Sequence, residues 1–256
     1  MMTDVFKEML NEMRKPRPIY LSSVKASRGS SHDFTIRFNP VIEFEPNRDY
    51  FIALDDIAMS YSWYNVSKSN GNNTLKYSHD SGTTWHTIEI PDGNFSYKEL
   101  NGYIQRTLEG AKHSKTGITI RFIPALLRVL IELKAGYQVD LQTGDFASLI
   151  GFTKKIVDST SYGENVPDIT RSIDDIFIHT NIISESVVSG LQSDVLFRFG
   201  VDNLRLSYPF HISPNEKKYS KINTGTIRDL RIYITDALDR PIDLNGVSVS
   251  LTLLIK

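Results

Sequence analysis

Cysteine is absent from the 256 residues. That excludes disulfide bridges, zinc–thiolate centres and cysteine nucleophiles, and it suits a reducing compartment. Charge of one sign is lacking too: 29 Lys and Arg stand against 30 Asp and Glu, for a formal net charge of −1. A protein that neutralises many phosphates carries clustered positive charge, so specific nucleic-acid binding is not expected. No apolar run reaches the roughly 18 residues of a membrane span. Residues 1–18 carry early acids and no apolar stretch, so no signal peptide is expected. Without secretion, the Asn-X-Ser/Thr triplets at Asn65, Asn72 and Asn94 mean little. What is present is ordinary for a globular chain, 40% hydrophobic and 23% charged. This length is within reach of one large β domain.

Residues 3–14 have helical spacing, with Val5, Met9 and Met13 on one stripe and Phe6 and Leu10 beside it. Pro16 and Pro18 stop that run. A helix this short is marginal alone and needs a surface: its own domain, or a neighbouring subunit. Residues 1–17 are therefore read as an N-terminal arm, and Val5, Phe6, Met9, Leu10 and Met13 as its candidate interaction residues.

From Ile19 onward the period is two. Phe34, Ile36 and Phe38 alternate with Thr35 and Arg37; Ile118, Ile120 and Phe122 alternate with Thr119 and Arg121. Leu230, Ile232 and Ile234 alternate with Arg231, Tyr233 and Thr235, and Val247, Val249, Leu251, Leu253 and Ile255 continue the pattern. Strict alternation predicts one buried and one polar face. Asn70-Gly71 predicts a hairpin joining residues 61–67 to 74–77, and Ser81-Gly82 marks the next turn. One main helix is predicted over 96–109: Ser96 and Glu99 make a capping box, Phe95 and Leu100 a hydrophobic staple, and Leu100, Tyr103, Ile104 and Leu108 an apolar stripe. A helical turn is expected at 145–151, with Asp145 as cap and Gly151 past its end. Residues 153–170 and 202–224 read as loops. Many short strands, long connections and few helices predict an all-β, antiparallel β-sandwich, a single jelly roll, over residues 18–256.

A search for chemistry finds little. The six histidines are His32, His79, His86, His113, His179 and His211, and no two have the i, i+2 or i, i+4 spacing of common metal pairs. His179 with Glu185 is the nearest approach to a cupin set and lacks its second histidine, so a lone strand histidine is the better reading. Asp55-Asp56 and Asp174-Asp175 point to opposite faces if they lie in strands, and form no shared carboxylate site by themselves. The aromatics around Tyr61, Trp63 and Tyr64 read as sheet packing rather than a base- or sugar-stacking platform. Nucleophile elbow, P-loop and dinucleotide fingerprints are absent. No enzyme activity, catalytic residue, metal or cofactor is expected.

Several phrases taken together resemble those of a known family. They are YNVS at 64–67 with NTLKY at 73–77, IEIPDG at 88–93 leading into FSYKELNGYI at 95–104, and LIGF at 149–152. IFIH at 176–179, SDVLF at 193–197, IYITD at 232–236 and IDLNG at 242–246 complete the series. In this order, from about residue 50 to the C-terminus, they resemble the minor capsid (penton) proteins of Polinton/Maverick-type double-stranded DNA viruses, adintovirus-like and virophage-related. The resemblance implies a jelly-roll structural protein of the virion. Five copies would close each five-fold vertex of an icosahedral shell, beside trimers of a double-jelly-roll major capsid protein. The arm at 1–17 would then dock on a neighbouring penton or major capsid subunit. The alternative is a jelly-roll binding module, a carbohydrate- or receptor-binding head without catalysis.

Overall fold

The computed structural model describes residues 15–170, 173–184, 186–188, 190–201 and 207–256. The arm residues Val5, Phe6, Met9, Leu10 and Met13 lie outside them. The described chain opens with β1 (Arg17–Ser22), β2 (Arg28–Gly29), β3 (Asp33–Glu43) and β4 (Phe51–Ser60). Next come β5 (Thr74–Ser78), β6 (His86–Glu89), α1 (Tyr97–Gly110), β7 (Ile118–Ile123), β8 (Arg128–Leu133) and β9 (Gln138–Asp140). They are followed by α2 (Phe146–Leu149), β10 (Ile156–Val157) and β11 (Ser161–Tyr162). Then follow β12 (Asp175–Thr180), β13 (Ser186–Val188), β14 (Leu191–Ser193), β15 (Val195–Gly200) and β16 (Pro209–Ile212). The last are β17 (Ser220–Lys221), β18 (Thr226–Thr235) and β19 (Ser250–Ile255).

The sandwich expected over 18–256 is organised as two compact units. Among the described residues, one combines those of 15–63 with those of 173–256, and the other is 64–170. Each has its own hydrophobic cluster, and no residue belongs to both. The period-two pattern runs through both units alike and so does not mark the boundary.

The first unit is the jelly roll. Its eight principal strands, in chain order, are β1, β3, β4, β12, β15, β16, β18 and β19. One sheet runs β1-β19-β4-β16 and the other β15-β12-β18-β3, with every pair antiparallel. In order of appearance these are strands first-eighth-third-sixth and fifth-fourth-seventh-second, the doubled Greek key that defines the fold. The predicted alternation builds the core: Leu230, Ile232 and Ile234 of β18 and Leu251 and Leu253 of β19 are buried in one cluster with Phe34, Ile52, Ile57 and Ile178. On the outer face of β18, Arg231 forms a two-pronged ion pair with Asp33 of β3, at 2.8 and 2.7 Å. Tyr61 and Trp63 stack at 4.2 Å, with Trp63 buried, as sheet packing requires.

The second unit, inserted between the third and fourth strands of the jelly roll, contains the sheets β10-β9-β5-β6 and β11-β8-β7 together with α1. The capping box forms: the Ser96 side chain accepts from Glu99 N–H, and the Glu99 carboxylate accepts from Ser96 N–H at 2.8 Å. Leu100, Ile104 and Leu108 are buried along the helix, while Tyr103 lies at its margin and donates its hydroxyl to the Glu89 carbonyl. The Asn70-Gly71 expectation is corrected. Residues 61–67 form no ladder with 74–77; β5 pairs instead with β6 across the Ser81-Gly82 turn. Ser81 and Gly82 both have positive φ, the twist that suits a hairpin, whereas residues 65–72 are tied by side-chain amides. Asp145 makes no capping bond and pairs with Lys154 instead. The predicted loop at 153–170 supplies β10 and β11, and that at 202–224 supplies β16 and β17; these strands are too short to show a period.

Candidate functional site

Asp55 and Asp56 lie within β4 and diverge as neighbours in a strand do: Asp55 pairs with Lys217 at 2.8 Å and Asp56 with His211 at 3.4 Å. Asp175 pairs with Arg198. Asp55, Asp56 and Asp175 thus turn to separate partners, and neither doublet makes a shared carboxylate site.

His179, on β12, is buried in a polar knot. Its Nδ1 lies 2.9 Å from Asp194 Oδ1 and its Nε2 lies 2.8 Å from Thr235 Oγ1. Its ring stacks on Tyr233 at 4.3 Å, nearly parallel. The Tyr233 hydroxyl donates to both oxygens of Asp194 at 2.8 Å, and burial, followed by that carboxylate, holds its pKa well above the phenol range. A carboxylate accepts only, so Nδ1 carries a proton, and the Thr235 hydroxyl is the hydrogen-bond partner of Nε2. Every polar atom of the imidazole is satisfied, which is the chemistry of a structural histidine. Beside the knot a cavity of about 660 Å³ is lined by His179, Asp194 and Tyr233 together with Leu191, Gln192 and Asp239.

The second unit brings together three histidines that sequence spacing leaves apart. His79 follows the end of β5, His86 opens β6, and His113 lies just past α1. The β5–β6 turn is organised by Ser78 and Asp80. Ser78 Oγ donates to Asp80 Oδ1 at 2.7 Å and accepts from Gly82 N–H at 2.9 Å, while Asp80 Oδ1 accepts from Thr84 N–H at 2.8 Å. Those bonds, the Thr84 amide foremost, hold the Asp80 carboxyl well below the usual range. The turn places His79 and His86 across from each other, with ring centroids 5.3 Å apart.

His113 arrives by a different route. Lys112 takes the left-handed conformation, φ 61°, and His113 N–H returns to the Leu108 carbonyl at 2.9 Å. This is a Schellman-type helix end, made with lysine where glycine is usual. It stacks the His113 ring on His79 at 3.9 Å and sets it 5.0 Å from His86. His113 Nδ1 lies 2.8 Å from the Tyr77 hydroxyl. Burial, then the neighbouring imidazoles of His79 and His86, lower the His113 pKa. One nitrogen from each ring can be chosen so that all three lie within 4.8 Å of one another. Two buried nitrogens here, His79 Nδ1 and His86 Nε2, have no hydrogen-bond partner.

Donor set and geometry make this the candidate metal centre among the described residues. The separations in sequence, seven and 27 residues, match no helical or strand metal motif. The available signal was weaker: two histidines flank a hairpin turn, and a third closes a helix.

No family model matches the chain, and no curated protein matches it. Among solved structures, the selenomethionine-labelled mavirus penton protein is similar over 94% of this chain and 99% of that one, at 12% identity and a TM-score of 0.47.

Proposed function

We propose that this chain is a minor capsid (penton) protein of a Polinton/Maverick-type virus or element, a non-enzymatic jelly roll that closes the five-fold vertices of an icosahedral shell as a homopentamer. The observation that carries the reading is where the family-like phrases fall. IFIH supplies His179, SDVLF supplies Asp194, and IYITD supplies Tyr233 and Thr235, and these four side chains form one hydrogen-bonded knot. In the second unit, YNVS supplies Asn65, whose Nδ2 donates to the carbonyls of Phe95 and Ile169 and whose Oδ1 accepts from Phe95 N–H. Val66 of the same phrase bridges Gly93 of IEIPDG. Residues of these phrases are joints that lock distant strands, which suits a scaffold rather than a reaction.

A ring uses two different edges of each subunit, so that one contact repeats until it closes. Here the arm at 1–17, through Val5, Phe6, Met9, Leu10 and Met13, docks on a neighbouring penton or on the double-jelly-roll major capsid protein. The test is native mass spectrometry and negative-stain imaging of the full chain, alone and co-expressed with that major capsid protein. Pentamers, alone or only in shells, support the reading. A monomer that fails to enter assembled shells overturns it.

The cavity beside His179 favours a second reading, a carbohydrate-binding head, because Tyr233 lines it together with the polar Gln192 and Asp239. Glycan-array binding abolished by Tyr233→Ala, with no assembly into shells, would select it.

A further inference from the structure

We propose that His79, His86 and His113 form a binding site for one divalent transition metal of the zinc class. Three imidazole nitrogens without a thiolate suit zinc, copper or nickel, and are a poor match for magnesium or calcium, which take oxygen ligands.

Three observations carry the assignment. First, the nitrogens already converge within 4.8 Å. With metal–nitrogen bonds of about 2.0–2.1 Å, a tetrahedral centre places its nitrogens about 3.3 Å apart. Closing that difference, and turning the stacked His79 and His113 rings so that their in-plane lone pairs meet, asks for side-chain rotation at a turn, a strand start and a helix end.

Second, His79 Nδ1 and His86 Nε2 are buried with no hydrogen-bond partner. Buried polar atoms in native proteins are nearly always paired, and one that is not calls for an explanation such as a bound ion. In the tautomers that leave these two nitrogens unprotonated, each has a lone pair to give one cation.

Third, the cluster has an outer shell. With His113 Nδ1–H donating to the Tyr77 hydroxyl oxygen, 2.8 Å away, that ring is fixed and Nε2 keeps the lone pair that can ligate. Asp80 is committed to Ser78 and Thr84, so it closes the turn rather than ligating, yet it lies near enough to His79 and His113 to offset the cation's charge. Three protein ligands leave a fourth position for water.

The test uses the full chain, stripped with EDTA and dialysed. Zinc chloride is titrated by calorimetry, and cobalt chloride is followed by its visible d–d bands. Expected are one zinc per chain with a Kd in the micromolar range or tighter, and a cobalt spectrum of low coordination number. His86→Gln and His113→Gln should each weaken binding at least tenfold with circular dichroism unchanged, while His211→Gln, on β16, should bind as the parent does. Should a variant fail to fold, imidazole NMR of the unaltered protein decides: zinc should move the resonances of His79, His86 and His113 and leave the other three in place. Affinity weaker than about 1 mM, full affinity in both variants, or unmoved resonances for the three rings would overturn the site.

Discussion

Thr235→Val removes one oxygen from the polar knot on the outer face of β18 and almost nothing else. Thr235 is 4% exposed, and its hydroxyl is the partner of His179 Nε2 at 2.8 Å. Valine has nearly the same shape, so no cavity opens, and the loss is that of a hydrogen bond whose other member stays buried. His179, also 4% exposed, has no second partner for that nitrogen, because Nδ1 is held by Asp194. An unsatisfied buried polar group costs about 1–3 kcal/mol, more than the mean net worth of a hydrogen bond. For a chain of this size each kcal/mol lowers Tm by about 2–4 °C. Urea unfolding followed by Trp63 fluorescence in a Trp85→Phe background reads the jelly-roll unit, since Trp63 belongs to its core and Trp85 to the other unit. Thr235→Ser, which keeps the oxygen, should cost less than Thr235→Val. Adding His179→Phe to Thr235→Val should cost less than the two single changes summed, because both partners are then apolar. A midpoint unchanged in Thr235→Val but lowered in Thr235→Ser would refute the reasoning, showing that the methyl and not the hydroxyl matters.

Ser96→Ala breaks the capping box of α1 and should destabilise the second unit by about 1 kcal/mol, read as faster hydrogen exchange of the helix amides. The Asp33 pKa is lowered, first by the hydrogen bond from Arg231, so this pair contributes stability above the ordinary carboxylate pKa of 3.8 and loses it as pH falls through the lower folded value. Both side chains are more than a third exposed, so Asp33→Asn should cost no more than about 1 kcal/mol at pH 7, and the gap to the parent should close as pH falls through the lowered folded pKa; a gap that widens in acid would reverse the sign assigned here. Deleting residues 1–16, which spares β1, should leave Tm near that of the parent and reduce entry into shells; equal incorporation would remove the arm from the docking scheme.

Local patterns in the chain were enough for its class and for its best-marked elements. Alternation at Leu230, Ile232 and Ile234, and at Leu251 and Leu253, announced buried strand faces because a pleated strand sends successive side chains to opposite sides. Ser96, Glu99 and the Leu100–Ile104–Leu108 stripe announced α1 because capping and amphipathicity act within one or two turns. Beyond that range, tertiary structure decided. Nothing local distinguishes the strands of 64–172 from those around them, so the division into two cores followed from which apolar faces met. Asn70-Gly71 carried a hairpin signal that gave way to the pairing of β5 with β6, whose cross-strand contacts bury Leu75 and Ile88. The three-histidine cluster arose the same way. A hairpin turn opposed His79 and His86, and a left-handed Lys112 turned the chain so that His113 reached them. Ligand spacing is readable in sequence only when one element supplies the ligands, and here three separate segments converge on a point that exists only in the folded chain.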